Sequence, residues 1–199
     1  MNISITKTTC PKEKPDSSTL GFGKIFTDHM FMMDYNVDKG WYNARIIPFA
    51  NISIHPASTV LHYGSEIFEG LKAYRTPDGE IQFFRPEENF KRLNVSAERL
   101  IIPQIPVEDA LQALHTLVEV DKDWVPHNDG ASLYIRPYMF GISPVIGVKP
   151  AQDYQFRAFA TPVGPYFKGG FATNPYVIIR EFDRSAPLGT GIYKVGGNY

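Results

Sequence analysis

Cysteine is almost absent from this sequence. The single thiol, Cys10, lies in a polar, proline-bearing segment near the N-terminal end. One cysteine cannot build a disulfide framework or a cysteine zinc cluster, which favours a reducing compartment, so we expect the protein to be cytoplasmic. The first 20 residues lack the apolar run of a signal peptide, and no stretch approaches the roughly 20 apolar residues that a membrane helix needs. We therefore expect no membrane partner.

An excess of charge of one sign is also missing. The chain has 20 basic and 21 acidic residues and a net charge of −1, which argues against a nucleic-acid surface built on bulk charge. Its five histidines are scattered without paired ligand spacing, so no metal site is predicted. The stretch "GTGIYK" lacks the spacing of a phosphate loop, and Val195 stands where the loop needs a hydroxyl, so a nucleotide site is discounted.

What the sequence does contain is an ordinary globular composition, with 43% hydrophobic and 14% aromatic residues. Patterning predicts a series of local elements. In chain order these are two β-rich runs at 23–35 and 44–54, a helix at 57–69, a hairpin turning at Pro77-Asp78-Gly79, helices at 87–100 and from Pro106, and strands at 131–140, 154–161 and 175–182.

Strands and helices segregate within the first 160 residues, which predicts an α+β fold. The glycines and prolines of "PVGPYFKGG" are typical of a linker. We therefore predict four segments: a flexible N-terminal arm at 1–21, a small α+β domain at 22–161, an interdomain linker at 162–170, and at 171–199 the first part of a larger second domain.

Lys194 is the first candidate for chemistry, because it stands in the glycine-rich stretch "GTGIYKVGGNY". A desolvated lysine amine can form Schiff bases with carbonyls, and neighbouring glycines let a planar ligand approach the backbone. A lysine in a glycine-rich turn is more often simply solvated. Lys168, in "YFKGGF", has similar surroundings, so local pattern alone does not separate the two lysines.

Tyr134 and Arg136 are two residues apart on a predicted strand and therefore project from one face. An arginine placed there can hold a carboxylate through two parallel hydrogen bonds, or it can pair with a surface carboxylate. Arg92 lies on a predicted helix, where a charged side chain is usually solvated. The aromatic residues Phe22, Tyr63, Phe68 and Tyr166 are core candidates by default.

Five stretches, in this order along the chain, resemble the branched-chain amino acid aminotransferases, whose pyridoxal phosphate fold is shared with the D-amino acid aminotransferases (class IV). They are "FGKIFTDHM" at 22–30, "LHYGSEIFEGLKAY" at 61–74, "SLYIRP" at 132–137, "TPVGPYF" at 161–167 and "KVGGNY" at 194–199. The resemblance runs from Phe22 to Tyr199, and it is far more specific than any one of the motifs.

The resemblance implies roles for these residues. Lys194, and not Lys168, would form the covalent link to pyridoxal 5'-phosphate, Tyr199 would hydrogen-bond the phenolic oxygen of this cofactor, and Arg92 would contact its phosphate. Arg136 would receive the distal carboxylate of glutamate. The remaining implied substrate-pocket residues are Phe22, Phe68, Tyr134 and Tyr166 from one subunit of a homodimer, and Tyr63, Ile146 and Val148 from the other.

By the same resemblance, the function is transfer of the amino group of L-leucine, L-isoleucine or L-valine to 2-oxoglutarate. Such a site needs an apolar lining together with a carboxylate receptor. The resemblance further implies that a remainder of comparable length follows Tyr199, carrying the acidic partner of the cofactor ring, so that the 199 residues alone would be inactive. Two alternatives stay open, a related D-amino acid aminotransferase or lyase, and a non-catalytic dimerisation module.

Overall fold

The structure is a computed structural model that describes residues 1–127, 130–166 and 173–199. Within these residues the chain forms strands, α-helices and short 3-10 turns. The strands are β1 Ser4–Ile5, β2 His29–Asn36, β3 Gly40–Pro48, β4 Glu66–Phe68, β5 Leu71–Arg75, β6 Ile81–Phe83, β7 Ser132–Gly141 and β8 Asp153–Val163. The helices are α1 Thr59–Tyr63, α2 Pro86–Arg99 and α3 Val107–Val120, and the 3-10 turns are Ser17–Thr19, Lys122–Trp124 and Gly196–Asn198.

All eight strands join one mixed sheet in the order β1-β3-β2-β8-β7-β5-β6, and β4 also pairs with β7. Only the β1–β3 pair is parallel among these strands. Strands β4 and β5 follow one another along the same edge of β7: Phe68 lies opposite Tyr138, and Leu71 opposite Ile135. Glu69 and Gly70 form the short link between them. The predicted α+β fold is confirmed.

Helices α2 and α3 cover one face of the sheet because each carries an apolar stripe at helical spacing. Phe90, Leu93 and Ala97 of α2 are fully buried, as are the matching residues of α3. Alternation along β7 sends Leu133 and Ile135 into this core. The alternate residues of β7, including Tyr134 and Arg136, therefore lie on the opposite face of the sheet. The candidate site is found on that face.

The hairpin, the two long helices and the strands at 131–140 and 154–161 form as predicted. The predicted helix at 57–69 is only partly correct. It ends at Tyr63, because Gly64 adopts a left-handed conformation with φ 58° that caps a helix. Residues 66–68 then pair with β7 instead of continuing the helix.

The predicted strand at 175–182 was wrong, since the structure has no strand there. Tyr176, Val177 and Ile178 are 72–85% exposed, and no backbone ladder joins this segment to another described strand. A β-rich composition forms a strand only where a neighbouring strand supplies hydrogen bonds and packing. The division into a small domain and the start of a second domain remains a prediction.

Residues 1–21, the expected flexible arm, contact the sheet at several points. Strand β1 pairs with β3. Thr8 N donates to His29 Nε2 at 2.9 Å, so the ring proton lies on Nδ1, which is 2.6 Å from the Asp121 carboxylate. Lys12 N donates to the carboxylate of Asp28 at 2.9 Å.

The expected linker at 162–170 begins inside β8, and 167–170 lie outside the described residues.

Candidate active site

The backbone around Lys194 is anchored to the fold on both sides. Its N–H donates to Ser96 Oγ of α2 at 3.0 Å, and its carbonyl accepts from Phe68 N of β4 at 3.1 Å. The next residue, Val195, bridges Ile67 and is buried in the core. A glycine-rich stretch is thus held at the sheet edge by one helix and one strand, and the Lys194 side chain starts from a fixed position.

Two aromatic rings flank the Lys194 amine. Nζ is 4.6 Å from the centroid of the Phe68 ring and 6.0 Å from that of Tyr199, whose ring lies 5.4 Å from Phe68. Among the described residues no carboxylate forms an ion pair with Lys194. The amine therefore lies near apolar surface and has no ion-pair partner among the described residues. This arrangement leaves it available for a ligand.

Arg136 also lies against the Phe68 ring. Its guanidinium is 4.7 Å from the centroid of the Phe68 ring and donates to Tyr134 Oη at 3.0 Å. This hydrogen bond confirms that Tyr134 and Arg136 share a face of β7. The buried Nε of Arg136 has no hydrogen-bond partner in the part of the chain that the structure describes. A buried donor without an acceptor is costly, and an anionic ligand group would satisfy it.

Tyr134 also contacts Phe22, with ring centroids 5.1 Å apart. Gly70 makes the position of the Tyr134 ring possible, because a Cβ at residue 70 would lie 2.8 Å from Tyr134 Cζ and would collide with the hydroxyl. Phe22, Tyr134, Arg136 and Phe68 therefore form a continuous row of contacts that ends at Lys194.

Arg92 projects from α2 toward the link between β4 and β5. Its Nε and Nη2 donate to the two carboxylate oxygens of Glu69 at 2.6 and 2.9 Å, and these hydrogen bonds raise the pKa of the guanidinium above its ordinary value. The Glu69 side chain is fully buried, whereas that of Arg92 is 53% exposed. Glu69 also accepts from Asn89 and from Gly70 N. Arg92 is thus fixed on one side and open to a ligand on the other.

Glu66 lies beside the same stretch, and an added Cβ on Gly196 would come within 2.8 Å of its Oε2. Burial raises the pKa of the Glu66 carboxyl above its ordinary value, although the positive charge of Arg136 opposes the shift. This carboxyl is therefore protonated more readily than a solvated glutamate.

The structure does not bring every predicted site residue into the row of contacts around Phe68 and Lys194. Tyr63 is 44% exposed, and its hydroxyl donates to the Ile146 carbonyl. Val148, in the same loop, is 88% exposed. Tyr166 lines a cavity together with Phe22, next to that row of contacts. Lys168 lies outside the described residues.

Two residues of this site were missed by the sequence reasoning. Glu69 falls at the end of the predicted helix at 57–69, where nothing distinguishes it until its burial and its bond to Arg92 are seen, and Ser96 falls on the buried face of α2. The only signal in the sequence was that Glu69 is a charged residue next to a glycine, at the end of the predicted helix.

No group of three His, Cys, Asp or Glu side chains that could hold a metal ion occurs in the described part of the chain. None of the helices at 1–127, 130–166 or 173–199 is long and apolar enough to cross a membrane.

Several known proteins that are similar to this chain are named as branched-chain-amino-acid aminotransferases or transaminases. The chain is 48% identical over 197 residues to branched-chain-amino-acid aminotransferase 2 of Bacillus subtilis (strain 168), a match covering 99% of the chain and 54% of that relative. The chain is a homologue of the branched-chain-amino-acid aminotransferases. It spans about half the length of the curated relatives it matches. No family model matches the chain.

Solved structures of branched-chain amino acid aminotransferases share the fold. The Escherichia coli enzyme superposes with a TM-score of 0.66 at 24% identity, covering 86% of this chain and 52% of its own. The enzyme of the thermophilic archaeon Thermoproteus uzoniensis, solved with norvaline, superposes with a TM-score of 0.53 at 23% identity, covering 69% of this chain and 43% of its own. The predicted resemblance to these aminotransferases is confirmed.

Proposed function

We propose that the protein is a branched-chain amino acid aminotransferase that transfers the amino group of L-leucine, L-isoleucine or L-valine to 2-oxoglutarate. The observation that carries the proposal is the arrangement around Phe68. The Lys194 amine and the Arg136 guanidinium both lie against the Phe68 ring, at 4.6 and 4.7 Å from its centroid. An amine for chemistry and a receptor for a carboxylate are thus joined by an apolar surface that fits a branched side chain.

The described residues fit pyridoxal 5'-phosphate. Lys194, with no acidic partner among them, would hold the cofactor through its amine, and Tyr199, whose ring is 6.0 Å from Nζ, would hydrogen-bond it. Arg92 would hold the phosphate, because Glu69 accepts from Nε and Nη2 and leaves the other N–H donors of the guanidinium open. When bound, the cofactor supplies a ring that accepts the electrons released at the substrate α-carbon.

In this mechanism the Lys194 amine, once the substrate amine has displaced it from the cofactor, would remove a proton from the substrate α-carbon and return one later in the cycle. Phe68, Phe22 and Tyr134 exclude water and bind the apolar side chain of the branched substrates. Arg136 binds the distal carboxylate of glutamate or 2-oxoglutarate. The buried Nε of Arg136 has no acceptor among the described residues, so the bound carboxylate would also supply the hydrogen-bond acceptor that this donor needs.

We further propose that two subunits complete each site. The Tyr63 hydroxyl donates to the Ile146 carbonyl, and Tyr63, Ile146 and Val148 are all exposed on their own chain. In a homodimer Tyr63, Ile146 and Val148 would line the pocket of the neighbouring subunit, while Tyr166 would serve the pocket of its own subunit. The partners are then amino acids, 2-oxo acids and a second copy of the chain.

The activity is tested with the protein as its gene encodes it, supplied with pyridoxal 5'-phosphate. Incubation with L-leucine and 2-oxoglutarate should produce glutamate and a branched 2-oxo acid, with ping-pong kinetics. Activity with D-alanine but none with L-leucine would instead identify a D-amino acid aminotransferase. Cofactor binding without turnover of either substrate would favour the dimerisation module.

A further inference from the structure

Lys72 lines a cavity next to the row of residues that the proposed mechanism uses. The cavity has a volume of about 200 Å³, and Phe22 and Tyr166, both proposed to bind substrate, are among its walls. Leu20 and Val163 contribute apolar surface. A cavity of about 150 Å³ holds a benzene molecule, so this one is large enough for the end of a small organic acid.

Strand register places Lys72 beside Tyr134. The two residues are directly opposite each other across β5 and β7 and therefore project from the same face of the sheet. Arg136 follows two positions along β7 on that face, and it donates to Tyr134 Oη. Lys72 and Arg136 are therefore both neighbours of Tyr134 on this face of the sheet, the first across the strand pair and the second along β7.

Lys72 is the only charged residue among the described residues that line the cavity. It is half-buried, and it forms no ion pair or hydrogen bond with any carboxylate in the described ranges. An ammonium group in apolar surroundings without an anion is unfavourable unless a ligand supplies the opposite charge.

We propose that Lys72 is a specificity-determining residue that binds, together with Arg136, the distal carboxylate of a dicarboxylate substrate. This inference rests on the proposed transamination function and deepens it. The distal carboxylate of glutamate or 2-oxoglutarate then binds beside Tyr134, where Lys72 and Arg136 supply positive charge, and branched side chains rest on the apolar rings of Phe68 and Phe22. Branched substrates make no contact that requires the Lys72 charge.

The test measures binding of two probe acids to the holoprotein by calorimetry. Glutarate carries two carboxylates, whereas 4-methylpentanoate carries one carboxylate and a branched apolar end. Lys72→Met should weaken glutarate binding about tenfold, which is the expected loss of one charge-assisted hydrogen bond, and should change 4-methylpentanoate binding less than about twofold. Lys72→Arg, which keeps the charge, should stay within about threefold of the natural protein for both probes.

Lys91→Met is the matched control, because Lys91 is 59% exposed on α2 and pairs only with Glu88 among the described residues. The inference is overturned if Lys72→Met binds glutarate as the natural protein does, or if it loses both acids equally. Thermal melting of each variant separates this second result from unfolding. Failure of the natural protein to transfer an amino group from L-leucine would refute the proposed function instead, since the binding comparison needs no turnover.

Discussion

The position of Tyr134 depends on a residue without a side chain. A Cβ on Gly70 would lie 2.8 Å from Tyr134 Cζ, so a side chain at residue 70 would have to displace the phenol that accepts from Arg136. Phe22 packs against the same ring. The shape of the proposed pocket is therefore set by the link between β4 and β5.

We expect Gly70→Ala to displace Tyr134 and Arg136 together. The cost should be about 1–3 kcal/mol in the free energy of unfolding, the range for overpacked sites, and it is measured by urea denaturation. Gly147→Ala is the control, because the nearest atom to its added Cβ is a Val145 methyl at 3.8 Å. Equal stability of the two variants would show that Tyr134 has room to move.

Glu69 shows what residue-level reasoning could not find. Arg92 was singled out only by resemblance. Nothing in the sequence around it indicated that the buried carboxylate of Glu69, 23 positions earlier, would accept hydrogen bonds from its guanidinium. The same-face relation of Tyr134 and Arg136 was predicted correctly, because two residues on one strand need no knowledge of the rest of the fold. Contacts that span distant parts of the sequence, such as Lys194 with Phe68, had no local signal.

The elements that formed as predicted are those whose cause is local. The apolar stripes of α2 and α3 and the Pro-Asp-Gly turn between β5 and β6 determine their own structure within a few residues. The errors at 57–69 and 175–182 have the opposite cause. In the first, the helix ends at the left-handed Gly64, and what makes 66–68 a strand is pairing with the distant β7. In the second, no described strand pairs with a β-rich segment.

The segment at 1–21 directly precedes Phe22. The buried carboxylate of Asp28 holds this segment to the sheet. Burial opposes ionisation of Asp28, but hydrogen bonds from Lys12 N, Trp124 Nε1 and Lys14 Nζ outweigh it, so the pKa of Asp28 is lowered. A carboxyl with a lowered pKa stabilises the fold above its unfolded pKa, and this contribution is lost as the pH falls through the folded value.

We therefore expect Asp28→Asn to reduce the free energy of unfolding at pH 7, and the deficit to shrink as the pH is lowered below about 4. Denaturation in urea across this pH range measures it. Hydrogen exchange at the Lys12 amide should become faster in the variant at neutral pH, because its acceptor is weaker. A deficit that does not change with pH would mean that the charge of Asp28 does not hold this segment.

Considered as a whole molecule, the chain joins parts of a proposed active site that lie far apart in its sequence. The sheet supplies Phe68, Tyr134 and Arg136, and the stretch at 189–199 supplies Lys194 and Tyr199 through bonds to Ser96 and Phe68. The expected second domain stays a prediction, and so does the homodimer. The homology to the branched-chain-amino-acid aminotransferases covers 99% of the chain and 54% of the relative.

The central claim is that Lys194, and not Lys168, carries the cofactor. Each lysine directly follows an aromatic residue and stands close before a pair of glycines, so Lys168→Ala is the matched control for Lys194→Ala. The measurement is reduction of the pyridoxal 5'-phosphate-loaded protein with borohydride, followed by peptide mass spectrometry. We predict cofactor on the peptide containing Lys194 in the natural protein and in Lys168→Ala, and none in Lys194→Ala. Cofactor attached at Lys168, or retained by Lys194→Ala, would contradict the account.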